Sequence, residues 1–134
     1  MSGFNVTFTG NKKIDIEFKN YKIKTDQSTK NGGDESAPEP FDIFIASLGA
    51  CAAVYAKSFC DTRKLSTDHM HLFVDVVFNK GQKLMAQVNI TLHVDDKFPE
   101  KYINAITKAM NSCAVKNQLN PDIVFNTNVI YLDQ

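Results

Sequence analysis

The chain has 134 residues, 43% of them hydrophobic, and its 15 basic and 15 acidic side chains cancel. That is ordinarily a single domain with a core of useful size, and the composition is globular rather than disordered. The balanced charge removes any electrostatic argument for a nucleic-acid or anionic-membrane partner.

The N-terminal third alternates. Phe4, Val6 and Phe8 share one face with Asn5 and Thr7 between them, and Gly10-Asn11-Lys12 is a turn signal. Ile14, Ile16 and Phe18 then alternate with Asp15 and Glu17, and Tyr21, Ile23 and Thr25 repeat the pattern. This period of two predicts three short antiparallel strands. Residues 26–40 are polar, carry Gly32-Gly33 and end in prolines, which reads as a loop. Pro40 suits the first turn of a helix. Apolar residues at 41, 44, 45, 48, 52, 55 and 59 then predict a helix to about Lys64. Small residues fill much of its remaining surface, so it needs cover on nearly all sides. One small sheet covers a single side; a second helix or a partner subunit must cover the other.

Residues 69–78 and 84–94 read as two further strands around a hairpin at Asn79-Lys80-Gly81-Gln82. Tyr102, Ile103, Ile106, Met110 and Cys113 form the apolar stripe of a second helix that Asp95 or Asp96 caps and Pro121 breaks. Ile123, Phe125, Val129 and Tyr131 close the chain as a last strand or two. The expected order is β-β-β-α-β-β-α-β, an α+β class, in a single domain over residues 1–134.

The start of the chain lacks the basic end and apolar run of a secretory signal. The longest uncharged run, residues 43–56, is shorter than the ~20 residues a membrane span needs. Three scattered cysteines with no Cys-x-x-Cys pair fit a reducing cytosol rather than a secreted disulfide framework, so a cytoplasmic location is expected.

Helical geometry separates the thiols. Cys51 and Cys60 lie nine residues apart, on opposite sides of one helix and ~13 Å apart along its axis. A disulfide needs Cα atoms within ~7 Å, so these two cannot pair within one chain. Cys113 can meet Cys51 if its segment packs on the Cys51 helix. Otherwise both are buried structural thiols, a common fate for free cysteine.

Pro40-Phe-Asp-Ile-Phe-Ile-Ala-Ser-Leu-Gly-Ala-Cys51 resembles the central-helix signature of the OsmC/Ohr family of cysteine peroxidases. Cys113-Ala-Val-Lys-Asn-Gln-Leu119 resembles the family's second-cysteine segment, usually a Cys-Pro-Val start with a leucine a few residues on. The strand at residues 21–26 and Gly32-Gly33 also fit. The resemblance implies an intertwined homodimer in which antiparallel sheets wrap two buried central helices. It implies reduction of organic hydroperoxides, with Cys51 the peroxidatic thiolate, Cys113 the resolving thiol, and a dithiol reductant to reset the pair. No cofactor and no metal are implied.

The chain departs from the family pattern in its charges. A glutamate usually follows the helix-starting proline; here that position is Phe41, with Asp42 next and Glu39 and Glu35 before the helix. The family's activating arginine comes from the N-terminal region, which here offers only Lys12, Lys13, Lys19, Lys22 and Lys24. The sole arginine, Arg63, lies ~18 Å along the helix from Cys51. The group that activates Cys51 is therefore not named by the sequence.

Other residues read blandly. His69, His71 and His93 suit a solvated sheet face better than a zinc site. Gly32-Gly33 is no phosphate loop and Ser47 sits in no nucleophile elbow. Phe41, Phe44 and Tyr55 are candidates to line a peroxide pocket, and Cys60 reads as a buried spare thiol. Two other function classes remain beside the peroxidase: a non-enzymatic domain binding a small hydrophobic ligand, and a thiol–disulfide redox protein without peroxide chemistry.

Overall fold

The computed structural model describes residues 3–81 and 83–132; Gln82 of the expected hairpin turn lies outside them. The element order is β1 (Asn5–Gly10), β2 (Lys13–Phe18), β3 (Tyr21–Thr25), α1 (Pro40–Thr62), β4 (His71–Phe78), β5 (Met85–Val94), α2 (Ile103–Met110) and β6 (Val124–Tyr131), with short 3-10 turns between. This is the expected α+β order. The chain divides into two compact units, Met1–Phe44 and Ile45–Gln134, and α1 begins in the first and runs into the second.

The first unit is an antiparallel sheet in the order β1-β2-β3, with Val6 opposite Ile16 and Ile16 opposite Ile23. Its apolar face is open: Phe8 is 87% exposed, and Phe4, Val6 and Tyr21 are also exposed. Thr25 and Asp26, where the sheet gives way to the loop, are buried, as is Gly33. Asp26 organises that loop. Its carboxylate accepts the N–H groups of Gln27 (2.7 Å) and Ser36 (3.0 Å) and the Ser36 hydroxyl (2.6 Å). Its own N–H donates to Pro38 O. A carboxylate with that many donors has its charged form favoured, so the group is held far below the usual carboxylate range.

The second unit is a sheet in the order β4-β5-β6. β4 and β5 pair antiparallel, as the hairpin signal predicts. β6 does not follow the expectation of antiparallel sheets: it pairs parallel to β5, Gln87 opposite Val124 through Val94 opposite Tyr131. The connection between those two strands is thus a crossover that carries α2, as parallel neighbours require. Val88, Ile90, Leu92 and Val94 of β5 are buried, together with Ile106 and Met110 of α2. Each such side chain contributes about 1.5–3 kcal/mol of burial.

The packed face of α1 consists of Leu48, Gly49, Ala52, Ala56, Phe59 and Cys60. The expected stripe is right at 48, 52 and 59; residues 49, 56 and 60 take the places assigned to bulkier neighbours. Gly49 has a steric reason. A Cβ there would meet Val74 Cγ1 at 2.9 Å and Leu72 Cδ2 at 3.6 Å, so the glycine lets the helix approach β4 closely. The other side of α1 is open, with Val54 61% exposed. By length and composition alone α1 could cross a bilayer; its packed side is instead fitted to a sheet.

Candidate thiol site

α1 carries Cys51 one turn before Tyr55 and leaves it half-buried. Cys113 reaches it from outside any long helix. α2 ends at Met110 rather than running to Pro121, so Cys113 is not the end of its apolar stripe. No Asp95 or Asp96 cap forms on α2; Asp95 instead accepts the Lys97 N–H within its own turn. The polypeptide after α2 closes tightly: Cys113 N–H donates to Met110 O and Asn117 N–H to Cys113 O. Gln118 and Leu119 then donate to Val115 and Lys116. Residues 113–119 form one irregular helical turn whose opening amides are available to other acceptors.

Those amides and the Cys113 thiol converge on Cys51. The Cys51 sulfur receives hydrogen bonds from the Cys113 thiol and from the N–H groups of Val115 and Ala114. The Cys113 sulfur in turn receives the N–H groups of Lys116 and Val115. The two thiols that the resemblance assigns to catalysis are therefore neighbours that act on each other, and neither is in a disulfide. Cys60, fully buried on the far side of α1, stays apart, as helical spacing requires.

The environment splits the three thiols. Burial pushes Cys51 up, but the Cys113 donor and the two amides outweigh it and leave its pKa below that of an ordinary cysteine. Burial pushes Cys113 up, and the hydrogen bond to Cys51 adds to that; it is 2% exposed. Burial also raises Cys60. The charged form is thus favoured at Cys51 and disfavoured at Cys113 and Cys60.

Several of the side chains weighed as activators of Cys51 have partners of their own. Glu39 accepts the N–H of Ser28 (2.9 Å) and the Asn31 amide (3.3 Å), and Glu35 accepts from Thr29. Lys13 pairs with Asp34 and Lys22 with Glu17, and Lys19 lies over the Phe18 ring. Arg63 folds back to donate to Phe59 O, with its guanidinium 3.6 Å above the Phe59 ring. Sequence reasoning missed the backbone donors. The only signal for them is that residue 114 is alanine where the resemblance leads one to expect proline, so the position keeps its N–H.

One side-chain bond anchors this region from below: the Thr127 hydroxyl of β6 donates to Asn111 Oδ1, two residues before Cys113. Of the other candidates, Phe41 and Phe44 pack edge to face at 5.9 Å and Tyr55 is half-buried. His71 and His93 sit opposite each other on β4 and β5 with rings stacked at 4.3 Å, and His69 lies in the preceding turn. Among the described residues no group of three or more His, Cys, Asp or Glu converges on a metal position.

Residues 32–128 match the family model described as OsmC-like protein. No curated protein matches the chain. Among solved structures, the chain resembles a Psychrobacter arcticus 273-4 protein named for osmotic stress induction and detoxification response. The TM-score is 0.81 at 20% identity, over 98% of this chain and 96% of that one. It also resembles an OsmC-like protein from Mycoplasma pneumoniae, with a TM-score of 0.75 at 15% identity over 98% and 99%. An organic hydroperoxide resistance protein from Elizabethkingia anophelis gives 0.66 at 15% identity over 100% and 98%. At these identities the structures establish a shared fold.

Proposed function

The chain belongs to the OsmC-like protein family, and from that membership and its paired thiols we propose that it is a cysteine-based peroxidase acting on organic hydroperoxides. The observation that carries this reading is the Cys113–Cys51 hydrogen bond, with two backbone amides on the same sulfur. A merely structural thiol needs no donors; a nucleophilic one needs them to hold its thiolate.

The chemistry runs through this chain's own atoms. The Cys51 thiolate attacks the distal peroxide oxygen, the O–O bond breaks, and the alkoxide leaves and takes a proton as the alcohol. Cys51 is then a sulfenic acid. Cys113 sulfur attacks Cys51 sulfur, and the sulfenic oxygen leaves as water with the Cys113 proton, giving a disulfide. A dithiol donor restores both thiols and is itself oxidised. The resolving thiol is already a neighbour of Cys51 in the reduced state.

The amides take the part that the family gives to arginine. Ala114 and Val115 N–H groups are fixed dipoles that favour a charged acceptor without a counter-ion, and hydrogen bonds to charged groups are worth about 1.5–3 kcal/mol. Alanine at 114 matters here, since a proline would remove one of the two donors.

The active form is proposed to be a homodimer in a reducing, cytoplasmic setting. Two open surfaces support it: the α1 side bearing Val54, and the apolar face of the first sheet with Phe4, Val6, Phe8 and Tyr21. Exposed apolar surface on that scale marks an interface.

One equivalent of cumene hydroperoxide added to fully reduced protein should remove two thiols per chain, with Cys60 retained. A Cys113→Ser variant should stop at a Cys51 sulfenic acid that dimedone captures. Slow loss spread over all three thiols would leave only the ligand-binding reading, and rapid disulfide exchange with sluggish peroxide reaction would leave the thiol–disulfide one.

A further inference from the structure

We propose that a cavity at the C-terminal end of α1 is a second binding site, for a small organic carboxylate with an apolar body. The cavity has a volume of about 230 Å3. Two turns form it, the one that ends α1 and the one that follows β5. It is built apart from the thiols, since the end of α1 lies about 16 Å along the helix axis from Cys51.

Charge chooses the class of ligand. Lys64 lines the cavity from the first turn and Lys97 from the second, against one acid, Asp95. Among the described residues neither lysine is in an ion pair or over an aromatic ring, whereas Lys13, Lys22 and Lys57 are paired. Asp95 is occupied by its own turn: its Oδ1 accepts the Lys97 N–H at 3.0 Å and its carbonyl accepts the Phe98 N–H at 3.2 Å. Two lysines against one aspartate leave one positive charge over, which suits a monoanion better than a dianion. Ser66 adds a donor. Its Oγ accepts the Asp68 N–H at 3.2 Å, so the hydroxyl hydrogen is left for a ligand.

The rest of the lining is largely apolar and sets the size. Leu65 and Met70 are half-buried and Phe98 is buried. The Tyr131 hydroxyl of β6 pins that wall by donating to Phe98 O at 2.7 Å. An apolar cavity of about 150 Å3 is enough to hold benzene. The larger space here admits an aromatic ring together with its carboxylate.

Lys64 is the informative residue. Its φ of 55° lies in the left-handed region, which glycine adopts most readily at this place after a helix. Lys64 N–H donates to Asp61 O and Leu65 N–H to Cys60 O, so the backbone closes the turn by itself and asks nothing of the side chain. A lysine is a poor choice for that turn, and it supplies one of the cavity's two cations.

Sodium benzoate at low ionic strength is the probe, and the amide chemical shifts of isotope-labelled protein are the readout. Amides of residues 64–70 and 95–98 should shift together and saturate. Benzyl alcohol, the same ring without the charge, should leave them in place. Lys64→Gly supplies the residue the turn prefers, so its melting temperature should equal or exceed that of the wild type while benzoate binds about fivefold more weakly. Lys97→Gln, in an exposed turn, should weaken benzoate by a similar factor. Equal shifts with benzyl alcohol, shifts centred outside the two turns, or benzoate affinity unchanged in Lys64→Gly would overturn the proposal. No thiol takes part in this readout, so it stands or falls separately from the peroxide test.

Discussion

Asp26 in the first unit and Cys51 in the second are two anions held the same way. Each accepts two backbone N–H groups and one side-chain hydrogen, Gln27, Ser36 and the Ser36 hydroxyl in one case, Ala114, Val115 and the Cys113 thiol in the other. Hydrogen-bond donors rather than a paired cation dominate both. The difference lies in the group that titrates. A carboxyl ordinarily ionises at about pH 4, so the donors around Asp26 keep a buried group in the charged form it has in water and lock residues 26–38. A thiol ordinarily ionises near pH 8.5, so the same donors around Cys51 create a species that would otherwise be scarce. One device orders a loop in one unit and favours the charged form of a thiol in the other.

The largest expected contrast comes from deleting each anion. Cys51→Ser should abolish peroxide-driven thiol loss while leaving the thermal unfolding midpoint close to wild type, whereas Asp26→Ala should lower that midpoint clearly. Comparable destabilisation by both, in calorimetry, would break the comparison. Ala114→Pro sharpens it. The turn keeps a residue that the family resemblance expects there but loses one N–H, and alkylation of Cys51 by iodoacetamide at pH 7 should slow by about tenfold, the loss of one hydrogen bond to a charged group. An unchanged rate would show that the amides do not sustain the thiolate.

The pH dependences should run in separate windows. The folded Asp26 carboxyl titrates below its unfolded value, so its stabilisation is complete above about pH 4 and drains away as pH falls further. The stability gap between wild type and Asp26→Asn should therefore close on acidification, and a constant gap down to pH 2 would contradict it. Cys51 reactivity should reach its plateau at lower pH than free cysteine, since its thiolate is favoured. The smallest effect belongs to the anchor below Cys113. Thr127→Val removes the hydroxyl that reaches Asn111 and should cost about 1 kcal/mol, a few degrees in melting temperature, with Thr127→Ser restoring it.

What was legible in the sequence was local. Period-two runs gave the strands, the i, i+3, i+4 spacing gave α1, and nine residues between Cys51 and Cys60 excluded their pairing. The direction of β6 was not, because alternation along a strand is the same whichever way its neighbour runs. The end of α2 was misjudged because the apolar spacing carries on through Cys113 although hydrogen bonding changes after Met110. Asp26 drew no notice as one acid in a polar loop, since only the fold brings Ser36 back to it. The activator of Cys51 was sought among charged side chains, and backbone N–H groups leave no mark in a sequence except where proline would have erased them.

Every residue pair between β5 and β6 is separated by 37 positions, and the stretch that carries Cys113 is part of the link between them. Closing so long a loop is slow compared with forming the β4–β5 hairpin. A nascent or refolding chain thus has Cys51 on its helix before the last strand has docked and delivered its donors. Until that moment the Cys51 sulfur lacks the donors of residues 113–115 that favour its charged form.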